Sequence, residues 1–573
     1  MAEKQDIADT QVELSDEKIE ITAFDLLTDH EKELLELEAR LNAELDAKLM
    51  ANPNKMPKAC YFILPNEFGE RFCYYGVQPN LNKYFQLITG MEKAQAKVYS
   101  TAFTMLAYFF PLIGAALSDS FLGKWWTIIG FSIIYLIGMI MVTVFAIPNL
   151  IGPVGQVSNF LTFLPMLIIA IGTGGIKPCV SSHGGDQYLP AQEAAKDFFF
   201  NIFYVAINVG GLLTQFIVPE LTKLKCYGQD TCYAGAFLVP TVVFALALTI
   251  FAAGHKFYRI VPPLGEFLPL KAVRASILAA RRHSAASPQE RLAKGHWLNF
   301  AEEEYGGVFL EEVRDFGLVL VPVVIPFAFC WMLYNQNSNE WANQYYLMSG
   351  ALFGGNDETK SYVQGAMFSN INTILIIVLV PILAFFVYPF CDRRGWNFGP
   401  QRRMALGFFL VVVSFAVSAA LAPMVENAYL DSGRLMKDSA KYDGTYCAKC
   451  YSAWLQFPQW FLLSLGEALF SPTGVQFTYI EAGRQFRAVS TSFWLLASSL
   501  GSILIMIFEP IFTDAGFSSG TAGWAYSGIG LFGFFLYCLT SYYYVPRKLR
   551  PSINEGARLA KQAELTMTMS RDD

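Results

Sequence analysis

WWTIIGFSIIYLIGMIMVTVFAI, residues 125–147, is an uninterrupted apolar run without a charged side chain. A helix of about 20 such residues crosses roughly 30 Å of hydrocarbon while bonding all of its backbone polar groups internally. Comparable windows fall at 59–88, 98–118, 158–181, 198–221 and 234–253, and again at 317–336, 368–390, 403–423, 452–479, 488–509 and 525–545. Six plus six windows predict an all-α membrane protein with twelve transmembrane helices in two bundles, set in a lipid bilayer. The composition agrees: 54% of the 573 residues are hydrophobic and 16% charged, against about 25% charged in soluble domains.

The net charge of -6 divides unevenly. Residues 1–50 hold 15 Asp+Glu against 5 Lys+Arg, net -10, and the remainder is net +4. The basic residues sit in short segments between apolar runs, so no nucleic-acid partner is expected. No secretory leader is expected either, because the first apolar window begins near Ala59 behind the charged stretch.

An even number of spans puts both termini on one side, and positive charge selects the cytosol. The segment 254–316 carries nine Lys+Arg, and Lys124, Arg393, Arg394, Arg402, Arg403, Arg484 and Arg487 add to the same side. The expected organisation is a cytosolic acidic tail (1–58), a six-helix bundle (59–253), a cytosolic linker (254–316), a second bundle (317–545) and a cytosolic tail (546–573). Charged turns after the second and eighth spans suggest a repeat, although any short cytosolic loop has that character. Thr28 to Met50 reads as a solvated amphipathic helix with a capping box at Thr28 and Glu31. Leu270, Val273, Ile277 and Leu278 recur at helical spacing among basic residues, which suits either a helix on the inner leaflet or one packed within the linker.

Charge inside a span costs about 2.5 to 3.5 kcal/mol per residue on insertion scales, so each such group is a candidate functional residue. Glu67, Glu70 and Arg71 share one face of the first span, and Tyr74 and Tyr75 continue it. Pairing Glu67 with Arg71 would leave Glu70 needing another partner, a need that a reversibly bound proton meets. Lys177 lies in GTGGIKP, residues 172–178, where glycines allow close helix approach; a lysine near a span end also suits snorkelling. Glu467, in the tenth span, is too short to reach water and is expected to line a cavity. Asn208 and Asn372 are neutral polar groups at depth, and Trp331 and Trp494 read as core packing. Cations from the first half and a carboxylate from the second suit a zwitterion with separated carboxylate and ammonium ends. No nucleotide loop, catalytic triad or metal constellation occurs, so the expectation is a carrier driven by an ion gradient, not an enzyme, with no metal and no cofactor.

These residues carry a family resemblance. EFGERFCYYG, residues 67–76, resembles the ExxERFxYYG signature of the proton-coupled oligopeptide transporters, a branch of the major facilitator superfamily. FYVAINVG, residues 203–210, resembles their second signature, and the Lys177-Pro178 and Gly466–Gly474 motifs match in order and spacing. The charged N-terminal extension and long link look most like the fungal branch. The resemblance implies alternating access and symport of di- and tripeptides with a co-transported proton by a functional monomer resident in the plasma membrane. It implies proton-coupling roles for Glu67, Glu70, Arg71 and Lys177, and a peptide-carboxylate site at Arg71, Tyr75 and Lys177. Asn208, Asn372 and Glu467 would receive the amino end, and Tyr74, Tyr108, Trp331 and Trp494 would line side-chain pockets.

Three departures stand out. Gln78 and Asn335 replace both halves of an outer-gate ion pair, which leaves a neutral Gln78–Asn335 contact as the gating expectation. Ser100 replaces a membrane histidine, and Gln476 a second glutamate of the tenth span. Cys226, Cys232, Cys447 and Cys450 lie in expected outer loops, where disulfides form and three pairings are open. A lone CxxC is too little for a zinc site. The alternatives are a relative that carries nitrate or another anion, and a non-transporting nutrient receptor.

Overall fold

The computed structural model describes residues 56–553 apart from 189–191, 262, 264–265, 397, 482–485, 548–549 and 551. The helix expected over Thr28–Met50 lies outside the described residues. The first half contributes α1 (Cys60–Tyr84), α2 (Lys93–Leu117), α3 (Lys124–Phe145), α4 (Asn159–Gly185), α5 (Glu193–Thr222) and α6 (Tyr233–Ala253). A linker helix, α7 (Leu268–Ala285), follows. The second half contributes α8 (Gly307–Tyr334), α9 (Asn370–Ile382), α10 (Pro400–Asp431), α11 (Phe457–Glu481), α12 (Arg487–Asp514) and α13 (Ser519–Tyr543).

Among the described residues, ten helical segments are long and apolar enough to cross a membrane. The two long helices of the bundles outside that set, α1 and α11, are those bearing the Glu67, Glu70, Arg71 cluster and Glu467. The charges lower their apolarity without shortening them, as expected of helices shielded from lipid by their neighbours.

Each half has its own core. Phe103, Tyr135, Ile169 and Phe237 are buried in the first, and Phe327, Phe408, Phe470 and Trp494 in the second. Lipid tails are as apolar as leucine, so the helices associate through close packing, and small residues mark the contacts. One such contact lies between α10 and α11. A Cβ on Gly407 would stand 2.6 Å from the Gly466 carbonyl oxygen, and one on Gly466 would stand 2.7 Å from that of Gly407. Gly466→Ala is therefore expected to lower the Tm of the detergent-solubilised protein, with an overpacking cost of about 1–3 kcal/mol. An unchanged Tm would mean that α10 and α11 separate without loss.

α7 is packed within the linker, but through a different face from the one its spacing suggested. Ala272, Ala275 and Ala279 are buried against Leu298, Leu310 and Phe316, whereas Leu270, Val273 and Ile277 are exposed. Of the four apolar residues singled out, only Leu278 joins this core. The alanines win because their small side chains let α7 approach its neighbours closely. The cysteine pairing is Cys226 with Cys232 and Cys447 with Cys450.

Polar ties join the halves at the end away from the linker. Lys83 pairs with Asp443 at 2.7 Å, Lys97 with Glu509 at 2.6 Å, and the Asn82 amide donates to Asn343 at 3.2 Å. This end, the outer one in the expected topology, is closed.

Candidate functional site

In α1 the spacing of Glu67, Glu70 and Arg71 puts all three side chains together. Arg71 Nε lies 2.8 Å from Glu67 Oε1 and 2.9 Å from Glu70 Oε2. Glu70 is thus not left over once Glu67 pairs, which corrects the sequence expectation: one guanidinium nitrogen stands between both carboxylates. The pairing is incomplete, since Glu67 Oε2 and both Glu70 oxygens accept no hydrogen bond. Both glutamates are buried, whereas the Arg71 side chain keeps 12% of its surface open. Among the described residues its ion pairs use Nε, so the two-nitrogen fork that grips a carboxylate is left to an incoming group.

Lys177 Nζ sits 4.2 Å from the Tyr74 ring centre and 4.1 Å from that of Tyr108, with no hydrogen-bond partner. Snorkelling does not describe it, because the ammonium turns inward onto two aromatic faces. Its charge reaches Glu67, Glu70 and Arg71. The cluster thus holds two cations and two carboxylates in one water-poor region.

α5 closes on this cluster through the glycines of the second signature. A Cβ on Gly210 would stand 2.9 Å from the Phe68 carbonyl oxygen, and one on Gly211 would stand 2.9 Å from the Tyr75 ring. Asn208 is carried on the same stretch and is partly open.

The opposite pole is built from α8, α9 and α11. Asn372 Nδ2 donates to Glu467 Oε2 at 3.0 Å and to the Tyr334 hydroxyl at 3.2 Å, while Ser464 Oγ donates to Asn372 Oδ1 at 2.6 Å. Tyr334 also lies within electrostatic range of Glu467. No basic side chain pairs with Glu467 among the described residues. Tyr75 and Tyr108 each lie within electrostatic range of both Arg71 and Glu467, and Tyr334 within range of both tyrosines. Arg71, Lys177, Tyr334, Asn372 and Glu467 all retain open surface although they sit deep along their helices. Tyr75 and Tyr108 are thus common neighbours of the two poles.

Trp331 and Trp494 pack as core residues. Trp494 is 1% exposed against Phe327 and Phe470 and fills the space that a side chain at Gly474 would need; Trp331, 8% exposed, adjoins Tyr334.

The expected Gln78–Asn335 contact does not form. The Asn335 amide donates to the Ser498 carbonyl at 3.0 Å and to Ser502 Oγ at 2.9 Å, so it turns into its own bundle. Gln78 instead accepts a 3.5 Å hydrogen bond from Ser338 Oγ. The charges that bind the outer end lie elsewhere. Lys97, 1% exposed, reaches Glu509 at 2.6 Å and Glu340 at 3.2 Å; Tyr526 donates to Glu509 at 2.9 Å. Ser100, at the position of the missing histidine, donates to Asn339 across the same interface at 2.5 Å. Sequence reasoning missed Tyr334, Lys97, Glu340 and Glu509. Lys97 precedes its apolar window by one position, and its partners lie 243 and 412 residues away, so the only available signal was a charge at each span edge.

Comparison with known proteins places these observations. The family described as PTR2, POT family, matches residues 125–525. The chain is 36% identical over 375 residues to solute carrier family 15 member 1 of Rattus norvegicus, covering 63% of this chain and 51% of that protein. It is 36% identical over 367 residues to member 2 of the same family from Rattus norvegicus, covering 63% and 48%. The chain thus spans about half the length of the curated relatives it matches. Among solved structures, the POT family transporter PepTSo superimposes with a TM-score of 0.69 at 24% identity, over 85% of this chain and 98% of that one. An auto-inhibited POT family peptide transporter gives 0.66 at 23%, over 87% and 99%.

Proposed function

Because the chain belongs to the POT family, we propose that it is a proton-coupled symporter of di- and tripeptides that works by alternating access. Its fold is that of the major facilitator superfamily, and it is a multi-pass membrane protein. The proposal extends to residence in the plasma membrane as a monomer with both termini cytosolic.

One observation carries the substrate class: Glu467, without a basic partner among the described residues, shares Tyr75 and Tyr108 as electrostatic neighbours with Arg71, and Lys177 lies on the Tyr108 ring. In this reading the Arg71 fork, Lys177 and Tyr75 receive the peptide carboxylate, and Glu467, Asn372 and Asn208 receive the ammonium. A nitrate ion has no use for the negative pole. Binding both backbone ends reads what all short peptides share and leaves side chains to the aromatic walls of Tyr74 and Tyr108.

Coupling follows from charge balance. Arg71 Nε is held by two carboxylates; a proton on Glu67 or Glu70 removes one of them and strengthens the attraction of Arg71 for a substrate carboxylate. In the doubly loaded site the charges are paired, and the carrier can change face. The experiment is labelled dipeptide uptake into proteoliposomes with and without an inward acid gradient. Uptake is expected to rise severalfold with the gradient, and excess unlabelled dipeptide but not nitrate is expected to compete. Gradient-independent uptake would overturn the coupling.

A further inference from the structure

We infer that Ser552 is a phosphorylation site that releases a C-terminal strap from the linker side of the molecule. After α13 the chain doubles back along the inner ends of α8 and α11. The Tyr544 hydroxyl and the Arg547 amide both donate to Glu481 Oε2 at 2.7 Å, which ties the strap to the end of α11. Arg547 Nε and Arg550 Nη1 reach the two oxygens of Asp315 on α8 at 2.9 and 3.0 Å. The Ile553 side chain, 4% exposed, enters the linker core with Leu298 and Leu310, and its carbonyl accepts from Asn299 at 2.9 Å. The strap thus joins the linker to two helices of the second bundle.

The last residues of the strap also engage a carboxylate on α8. Glu311 accepts from the Ser552 hydroxyl and, at 3.1 Å, from the Ile553 amide. Ser552 is exposed, and Arg547, Lys548 and Arg550 lie within the five positions before it, the basic context that many serine kinases select. In the reaction the Ser552 oxygen attacks the γ-phosphorus of ATP. The new O–P bond forms as the bond to ADP breaks, and the hydroxyl proton leaves through the kinase's base. The hydrogen that bound Glu311 is then gone. In its place stand about two negative charges facing a carboxylate, the arrangement in which phosphorylation disrupts a contact. Arg550 does not relieve this easily, since Asp315 and Glu481 already hold it.

The test uses the full chain in detergent or liposomes. A basophilic serine kinase with ATP is expected to add phosphate at Ser552, read by mass spectrometry of fragments. Tryptic cleavage after Arg547 or Lys548 reports strap release. In the phosphorylated protein and in Ser552→Glu it is expected to be about tenfold faster or more, the factor implied by losing a hydrogen bond to a charged group. Ser552→Ala, which loses the bond without the repulsion, is expected to fall between wild type and Ser552→Glu. Adding Glu311→Lys to Ser552→Glu replaces repulsion by attraction and is expected to restore slow cleavage. No phosphate at Ser552, equal rates for the alanine and glutamate variants, or failure of Glu311→Lys to rescue would each overturn the inference.

Discussion

Glu467→Gln is expected to weaken binding of ordinary dipeptides about 100-fold or more, and to leave binding of analogues without a free amine nearly unchanged. The substitution keeps shape and keeps an oxygen that accepts from Asn372, so the local network of Asn372, Tyr334 and Ser464 persists. What disappears is the one charge opposite the ammonium in a region with little water. Deleting one member of a desolvated, hydrogen-bonded charge pair costs about 2–5 kcal/mol or more, and each 1.4 kcal/mol is about tenfold in affinity. Competition against labelled dipeptide, with a free-amine peptide and its des-amino analogue side by side, reads the difference. Equal losses for the two ligands would refute the negative pole, whereas loss of all binding together with a lowered Tm would indicate a folding defect instead.

Lys97→Met is expected to open the outer face. Lys97 is nearly inaccessible and is held by carboxylates from two parts of the second bundle, Glu340 beyond α8 and Glu509 on α12. Removing the ammonium leaves these carboxylates facing each other with only Lys93, 4.0 Å from Glu340, and the Tyr526 hydroxyl on Glu509 to offset them, a cost of up to about 3–5 kcal/mol. That cost falls on the closed arrangement, since in the open one the carboxylates meet water. A shift of this size changes a two-state ratio by about 10² to 10³ or more. Ser100, 2% exposed and bonded to Asn339, lies behind the same interface. A cysteine introduced by Ser100→Cys is expected to resist a membrane-impermeant maleimide in otherwise unchanged protein and to react in the Lys97→Met background. Adding Glu340→Gln and Glu509→Gln removes the repulsion and is expected to restore most of the protection. Unchanged labelling in Lys97→Met would show that Lys83–Asp443 and the asparagine contacts hold the face closed without it.

The same residues mark how far reading the chain could reach. The α1 cluster was legible because its members are separated by three and four positions, and helix geometry alone places them on one face. Glu467 was legible because a carboxylate amid apolar residues needs a reason to be there. Gln78 and Asn335 were misread as partners, because their substitution for charged residues invited a contact that the orientation of Asn335 toward Ser498 and Ser502 forbids. In the linker, the larger side chains of α7 drew attention, while its alanines made the contact.

Membrane residence, the two sets of six helices and the buried charges of α1, α4 and α11 follow from local composition and period, since a bilayer leaves an apolar run of that length few alternatives. Pairings between distant segments do not. The Arg71 nitrogen shared by two carboxylates, the tyrosines common to both poles, the Lys97 junction and the strap on Asp315 and Glu311 each depend on rotamers and helix approach. Those are settled only when glycine-lined helices close to contact and bring side chains from distant segments together.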